Sequence, residues 1–257
     1  MIALFTDFGL TGPYTGQMKA VLAQLAVGHP VIDLQHDAPP HDPKAAAYLL
    51  ASLTDRFPPD CVFLCVVDPG VGGERAPGVL KLADQWFVGP DNGLFEMVIR
   101  RAMERADDVF WWDVSWRPDD LSASFHGRDI FAPIAARVAT GQGPNSDLED
   151  GFERRDIATI RRQSWPDDLP QVIYIDGFGN AMTGIRARRV NRKSSLAIKD
   201  RKLPYAETFS GVSEGALFWY ENSCGLVEIA VNTGRAAEIL RLAIGTPVAV
   251  ERQGLAE

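Results

Sequence analysis

The sequence contains little cysteine: there are three residues among 257, and none forms a Cys-x-x-Cys pair. Cys61 and Cys65 lie within an apolar run, so the pattern indicates neither a disulfide framework nor a structural zinc site. Histidine is also scarce, with four residues and no His-x-x-x-His pair. Zinc sites usually show tighter ligand spacing than the group around His36 and His41. We therefore interpret that group as a surface loop and predict no metal and no cofactor.

Long hydrophobic runs and an excess of positive charge are also missing. No apolar run reaches the roughly 18 residues of a membrane-spanning helix, so we predict no membrane association. Acidic residues outnumber basic ones by 34 to 26, which gives a net charge of −8. A nucleic-acid partner needs a basic face, so we expect none. The first seven residues contain no basic stretch before their apolar run, which predicts a cytoplasmic protein rather than a secreted one.

What the sequence does contain is an alternation of short apolar runs and amphipathic segments. Cys61 to Val67 is apolar throughout, which is typical of a strand buried on both faces. Repeated strand and helix patterns predict an α/β domain with a mostly parallel sheet between helices. Strands are predicted at 1–6, 31–34, 61–67, 79–88 (two) and 109–114, and helices at 14–27, 42–53, 92–105 and 130–140.

The periodic pattern fades over residues 141–170, which are rich in Gly, Pro, Asp and Arg. We interpret this region as a connection and place the linker itself at 164–170. Beyond it, short apolar runs are separated by Gly and Asn. The sequence therefore predicts an α/β domain over residues 1–163 and a smaller β-barrel domain over residues 171–257.

Three polar segments occupy positions where an α/β sheet would place a ligand site. Asp7 follows the first predicted strand, Asp68 follows the strand at 61–67, and His126 precedes a helix. The glycines after Asp68 do not have dinucleotide-binding spacing, because Arg75 stands where a third glycine would be needed, and no P-loop is present. Each segment alone is also compatible with a turn or a helix cap.

Two further segments lie in the second predicted domain: Asp176-Gly177-Phe178-Gly179-Asn180 and Asn222-Ser223-Cys224-Gly225. Asp, Asn and Gly are typical of hairpin turns, so composition alone favours turns at both places. A phenylalanine between two glycines is less ordinary. Such a ring is free to project from its turn and stack on a nucleobase.

Taken together, these segments resemble the S-adenosyl-L-methionine (SAM) hydroxide adenosyltransferases, which are adenosine-forming SAM hydrolases related to the fluorinase and chlorinase nucleoside halogenases. The resemblance covers nearly all of the chain outside the connection. Its motifs occur in the family's order: Thr6-Asp7-Phe8-Gly9, residues 14–19, Val67-Asp68-Pro69-Gly70-Val71-Gly72, Gly89-Pro90-Asp91-Asn92-Gly93, Phe125-His126-Gly127-Arg128-Asp129, residues 176–180 and residues 222–225.

The resemblance implies an α/β domain joined to a β-barrel, in a homotrimer whose active sites lie between neighbouring subunits. It also implies roles for individual residues. The water-activating set would be Asp68, Arg75 and His126, and Asp7 would hold the ribose hydroxyls. Contacts to the adenine and the methionyl group would come from the second domain, through Asp176, Phe178, Asn180 and Ser223.

The sequence departs from the family pattern at two positions. Cys224 stands where the family usually has an aromatic residue, or arginine in the halogenases. This affects how the amino-acid end of the substrate is held. Ala20 stands where glycine is common.

The implied reaction is attack of water on the ribose C5′ of SAM, which gives adenosine and methionine. Histidine titrates near neutrality, so His126 is predicted to be the base, with Asp68 orienting Arg75 or the imidazole. A nucleoside halogenase and a protein that only binds an adenosyl ligand are the alternatives. Halogenases lack this Asp and His, so Asp68 and His126 favour the hydrolase.

Overall fold

The protein was analysed as a computed structural model that describes residues 1–144, 148–149 and 151–251. The chain forms two compact units, Met1–Ser164 and Trp165–Glu257. Parts of two predicted segments lie outside the described residues. These are 145–147 and 150 of the predicted connection and 252–257 of the predicted barrel domain.

The N-terminal unit alternates strands and helices, as the sequence predicts. Its strands are β1 (Ile2–Thr6), β2 (Val31–Gln35), β3 (Val62–Val66), β4 (Pro77–Leu82), β5 (Gln85–Pro90), β6 (Val109–Val114), β7 (Leu148–Glu149) and β8 (Phe152–Arg155). Its helices are α1 (Tyr14–Leu25), α2 (Pro43–Leu53), α3 (Glu96–Glu104) and α4 (Ala132–Ala139). A single π-helical turn, Gly127–Phe131, leads into α4, and 3₁₀ turns occupy Thr54–Arg56 and Ile157–Ile160.

The N-terminal sheet has the order β2-β1-β3-β5-β4-β6-β8-β7. β2, β1, β3 and β5 pair in parallel. The remaining neighbours pair antiparallel, with β4 and β8 running opposite to the strands beside them. Six of the eight strands therefore run in one direction, which confirms the predicted mostly parallel sheet.

Both faces of the central strands are buried. Ile2 and Leu4 of β1 pack in one core with Met18 and Leu22 of α1. Successive side chains of a strand point to opposite faces, and Phe5 is also fully buried, so the other face is covered too. Every residue of β3 is buried, in agreement with its uninterrupted apolar sequence.

The predicted connection over 141–170 contains more structure than expected. β8 pairs antiparallel with β6, and the turn Ile157–Ile160 follows it. In β8 only Phe152 is buried, while the next three residues are charged and exposed. A strand with one apolar residue gives no periodic signal, which explains why sequence patterning does not reveal it.

The C-terminal unit consists of short antiparallel strands. These are β9 (Leu169–Ile175), β10 (Ala181–Arg186), β11 (Ser195–Ile198), β12 (Arg201–Leu203), β13 (Leu217–Glu221), β14 (Leu226–Val231) and β15 (Ala249–Glu251). A short helix, α5 (Ala236–Ile239), packs on β14. 3₁₀ turns lie at Ala187–Arg189 and Phe209–Gly211.

A continuous barrel is not confirmed in this unit. The described strands form a four-stranded sheet, β13-β14-β10-β9, and a three-stranded sheet, β12-β11-β15. Only isolated bridges join their edges, Gln171 to Pro247 and Tyr205 to Trp219.

Two other features of the sequence, a tryptophan pair and a run of basic residues, have structural roles. Trp111 and Trp112 are buried. In the basic run that begins at Arg186, the Arg186 guanidinium is buried against Asp168, and Arg192 lies over the Tyr205 ring. Among the described helices, none has the length and apolarity needed to cross a membrane.

Candidate active site

A cavity of about 260 Å³ opens in the N-terminal unit at the carboxyl ends of β1 and β3. These two strands are parallel neighbours, and Thr6 of one is paired with Val66 of the other. The residues that follow them consequently meet at one edge of the sheet. Asp7 and Asp68 both line the cavity, and His126 reaches it from the loop before the π turn.

Arg75 joins Asp68 to His126. Its Nε donates to Asp68 Oδ1 at 3.0 Å, and its Nη2 donates to Asp68 Oδ2. The same Nη2 lies 3.0 Å from His126 Nδ1. A guanidinium has no acceptor, so Nδ1 must accept and the proton of the neutral imidazole must be on Nε2. The side chains of Asp68 and Arg75 are only 4% and 10% exposed, so this is a largely buried ion pair.

The surroundings of His126 favour its neutral form. Burial lowers the pKa of His126 below its usual value, and the Arg75 guanidinium lowers it further. Arg117 also lowers it, and the pKa of Arg117 is itself lowered, first by burial and then by Arg75. A protonated imidazole would lose Nδ1 as an acceptor and face two guanidinium groups.

Two features of the structure hold the segment around Asp68 in place. Gly72 has a positive φ of 78°, and a Cβ there would lie 2.6 Å from the Ala123 carbonyl oxygen. The loop after Asp68 can therefore approach the segment before His126 only with glycine at this position. From the other side, Asn92 Nδ2 donates to the Val67 carbonyl at 2.8 Å. α3 begins at Glu96 rather than at the predicted residue 92, because Gly93 has a positive φ of 96° that no α-helix contains.

His126 is placed by the π turn that follows it. π-helical turns are rare and are found often at functional sites. Phe131, at the end of this turn, lies under the Arg75 guanidinium with 5.2 Å between the guanidinium carbon and the ring centroid. Asp129 accepts hydrogen bonds from the Ser122 backbone and from Arg128. The bond from Ser122 fixes the loop that precedes His126.

An aromatic cluster forms another wall of the cavity. Phe8, Tyr14 and Phe125 have ring centroids 5.2 to 5.9 Å apart, mostly edge to face. Close by, the His41 backbone N–H donates to Asp7 Oδ2 at 3.0 Å. Aromatic faces attract cations, so this wall suits a positively charged ligand.

In the C-terminal unit, the segment at 176–180 is the turn between β9 and β10. Asp176 Oδ1 accepts hydrogen bonds from the backbone N–H groups of Phe178 (2.9 Å) and Asn180 (2.8 Å). Asn180 Nδ2 donates to Asp176 Oδ2 at 3.2 Å. Phe178 is 78% exposed, so its ring projects from the turn, as the sequence predicts.

Ser223 lies in a second turn of this unit, between β13 and β14. Asn222 holds that turn, because its Oδ1 accepts from the backbone N–H groups of Cys224 and Leu226. Its Nδ2 donates to Glu228 Oε2 at 2.6 Å. Glu228 is buried, and burial raises its pKa, as does the nearby Asp176. The turn conformations predicted from composition are thus confirmed.

No group of three or more His, Cys, Asp and Glu side chains able to hold a metal occurs in the part of the chain that the structure describes.

Comparison with known proteins decides the family. The N-terminal domain of the SAM hydroxide adenosyltransferases matches residues 2–148, and the C-terminal domain of the same family matches residues 170–249. The chain belongs to the SAM hydroxide adenosyltransferase family. The resemblance seen in the sequence motifs is thereby confirmed.

Individual proteins with names or solved structures are also similar to this chain. A protein from Thermus thermophilus named (R)-S-adenosyl-L-methionine hydrolase is 38% identical over 96% of this chain and 98% of its own. A fluorinase from Nocardia brasiliensis is more distant, at 24% identity over 98% and 96% of the two chains. A crystal structure of an uncharacterized conserved protein from Thermotoga maritima superimposes with a TM-score of 0.80. It is 30% identical and covers 98% of this chain and 100% of that one.

Several residues at this candidate site are not evident from sequence patterns. Arg117 and His41 stand in irregular segments with no motif of their own, and only the fold brings them to the cavity region. Phe8, Tyr14 and Phe125 do lie within or beside the family motifs. Their aromatic character is the signal that marks them.

Proposed function

We propose that this protein hydrolyses S-adenosyl-L-methionine to adenosine and L-methionine. The observation that carries the proposal is the placement of Arg75 between Asp68 and His126 beside a cavity that also contains Asp7. Relatives that match nearly the full length are named (R)-S-adenosyl-L-methionine hydrolase, which supports the same activity here. SAM is then a substrate rather than a cofactor, and the reaction needs neither a cofactor nor a metal.

The substrate contacts follow from the chemistry of the candidate residues. The Asp7 carboxylate accepts hydrogen bonds from the ribose hydroxyls. Asp176 and Asn180 are assigned to the methionyl amine and the adenine, with Phe178 stacking on the base, and Ser223 is assigned to the methionyl carboxylate. The aromatic wall of Phe8, Tyr14 and Phe125 favours the sulfonium cation by about 0.5–2 kcal/mol.

We further propose that the enzyme is a cytoplasmic homotrimer with its active sites between subunits. Apolar side chains near the cavity support this arrangement, because Leu10 is 79% exposed and Tyr14 and Val71 are also exposed. A neighbouring subunit that covered these side chains would remove their apolar surface from water.

The chemical step forms a bond between a solvent oxygen and C5′ and breaks the bond between C5′ and sulfur. Methionine leaves as a neutral thioether, so its departure needs no acid. The difficulty is the nucleophile, because free water has a pKa near 15.7. A guanidinium about 4 Å away, at an effective dielectric constant of about 20, stabilises hydroxide by about 4 kcal/mol, or roughly three pK units. Holding the oxygen and C5′ in line supplies about 7–11 kcal/mol more.

The geometry changes the role that the sequence predicts for His126. With Arg75 donating to Nδ1, the free ring nitrogen, Nε2, carries a proton and donates. A base at Nε2 would require the other tautomer, whose Nδ1–H would point at Arg75. We therefore propose that His126 holds a hydroxide ion by donating from Nε2, and that the proton of the original water is released to solvent.

The two roles of His126 predict different pH profiles. If a hydroxide ion is captured, kcat/KM rises about tenfold per pH unit through neutrality and continues to rise to at least about pH 9. If His126 is the base, kcat/KM rises only while His126 loses its proton. That range is centred below pH 6.5, because the pKa of His126 is lowered, and a plateau follows. Initial rates between pH 5 and about 9.5 distinguish the two, and a plateau from pH 6.5 upward would contradict hydroxide capture.

The activity itself is tested by product analysis. Purified protein is incubated with each sulfonium epimer of SAM, with and without chloride or fluoride, and the products are separated by chromatography. Adenosine and methionine in equal amounts are expected both with and without halide. A 5′-halogenated nucleoside would identify a halogenase instead, and tight binding of unchanged SAM would identify a protein that only binds the adenosyl ligand.

A further inference from the structure

A chain of hydrogen bonds runs behind the wall of the cavity, from the surface to the loop that carries Asp7. Lys19 Nζ donates to Asp33 Oδ2 at 2.6 Å. His36 Nε2 lies 3.0 Å from the other oxygen of Asp33, and His36 Nδ1 lies 2.9 Å from Thr6 Oγ1. None of these four side chains has a part in the proposed reaction.

The Asp33 carboxylate only accepts, so His36 donates from Nε2. In the tautomer with its single proton on Nε2, His36 Nδ1 accepts from the Thr6 hydroxyl. The remaining lone pairs of Thr6 Oγ1 face the Phe8 backbone N–H at 3.4 Å. Thr6 is fully buried and His36 nearly so, which makes an unpaired polar atom here costly. In this arrangement every one of these groups has a hydrogen-bond partner.

Backbone hydrogen bonds also join the loop after β1, which carries Asp7, to the segment that contains His36. Gly9 N donates to the His36 carbonyl at 2.6 Å, and Ala38 N donates to the Thr6 carbonyl at 3.1 Å. Five residues after His36, the His41 N–H donates to Asp7 Oδ2 at 3.0 Å. The segment 36–41 therefore orients the Asp7 carboxylate, and the His36 side chain anchors that segment to the end of β1.

We propose that Thr6 and His36 are positioning residues that set the Asp7 carboxylate for the vicinal hydroxyls of a ribose. The inference rests on the proposed function, because it takes the nucleoside as the ligand of Asp7. A carboxylate accepts from two neighbouring hydroxyls only in one orientation, and the N–H of His41 fixes that orientation through Oδ2. This chain of hydrogen bonds thus makes the site selective for nucleosides with a free 2′-hydroxyl.

The test compares the binding of adenosine and 2′-deoxyadenosine by titration calorimetry. The wild type is expected to prefer adenosine. Thr6→Val keeps the shape of the side chain and removes the hydroxyl, and it should weaken adenosine binding about tenfold. Binding of 2′-deoxyadenosine should change by less than about twofold, so the preference collapses. Thr6→Ser restores the hydroxyl and should restore the preference.

Two more variants separate positioning from a loss of stability. Thr183→Val removes another buried hydroxyl, which donates to the Val227 carbonyl at 2.8 Å in the C-terminal unit, and it should leave the ribose preference unchanged. Asp33→Ala removes the acceptor of His36 at a half-exposed position, where folding is not at risk, and it should reduce the preference. If Thr6→Val does not fold, Asp33→Ala decides.

The outcomes distinguish the inference from the function on which it rests. A wild-type protein that binds neither nucleoside contradicts the proposed function, and the inference fails with it. A wild-type preference that survives Thr6→Val, or Asp33→Ala where that variant decides, contradicts the inference alone. Equal weakening of both nucleosides also contradicts it, since that pattern indicates a general structural role.

Discussion

Replacement of Arg75 with methionine is expected to lower kcat by about three orders of magnitude. The guanidinium contributes about 4 kcal/mol to a hydroxide ion about 4 Å away at an effective dielectric constant of about 20, and methionine contributes none of this. The loss falls on kcat rather than on KM, because Arg75 contacts Asp68 and His126 rather than the groups assigned to the nucleoside. The measurement is the rate of adenosine release at saturating SAM.

Arg75→Met also leaves the buried Asp68 carboxylate without its partner, so folding must be checked separately. The double variant Asp68→Asn with Arg75→Met removes the unpaired charge and should be as inactive as Arg75→Met. Arg75→Lys keeps a charge but cannot reach Asp68 and His126 together, and it should also lose most turnover. Arg105→Met is the matched control, because Arg105 pairs with acidic groups at the surface. Activity of Arg75→Met within about tenfold of the wild type would remove Arg75 from the mechanism.

Replacement of His126 with alanine is expected to lower kcat by about 10²- to 10⁴-fold while KM stays within about twofold. The imidazole contacts Arg75 and the attacking oxygen, whereas the ribose and the methionyl group are assigned to other residues. The measurement pairs steady-state kinetics with calorimetric binding of SAM. Turnover that persists in His126→Ala would contradict any chemical role for this residue.

The variant His126→Gln separates the two roles of the ring. Its amide can donate from nearly the position of Nε2, but it does not titrate near neutrality. If His126 holds hydroxide as a donor, His126→Gln should recover at least about tenfold over His126→Ala. A base would leave both variants equally slow. His29→Gln, after the end of α1 and away from the cavity lining, serves as the control histidine.

The fold of the N-terminal unit follows closely from sequence because its signals are local. β3 is apolar along its length, and α2 has its cap in the sequence, where Asp42 Oδ1 accepts from the Ala45 N–H. The antiparallel strands of the C-terminal unit give weaker signals. β10 contains Gly184, whose missing Cβ lets Leu169 approach, and β12 begins with two exposed basic residues. Such strands are defined by their partners, which the local sequence does not contain.

The residues of the candidate site also differ in how far the sequence predicts them. Asp7 and Asp68 could be predicted because each directly follows an apolar strand, and His126 because it precedes a helix. The hydrogen bond from Arg75 to His126 joins residues 51 positions apart. In the sequence, only the resemblance to a family indicates that these two residues act together. The tautomer of His126 could not be predicted, because it depends on which ring nitrogen faces the guanidinium. The position of Arg117 likewise depends on the fold of a segment without periodicity.

The origin of the oxygen in the product tests the central claim most directly. The protein is incubated with SAM in ¹⁸O-labelled water, with halide present, and the adenosine is analysed by mass spectrometry after fragmentation. The account predicts one labelled oxygen at the 5′ position of adenosine and none in methionine. Unlabelled adenosine, or a nucleoside with halogen at that carbon, would contradict attack by a solvent oxygen held beside Arg75 and His126.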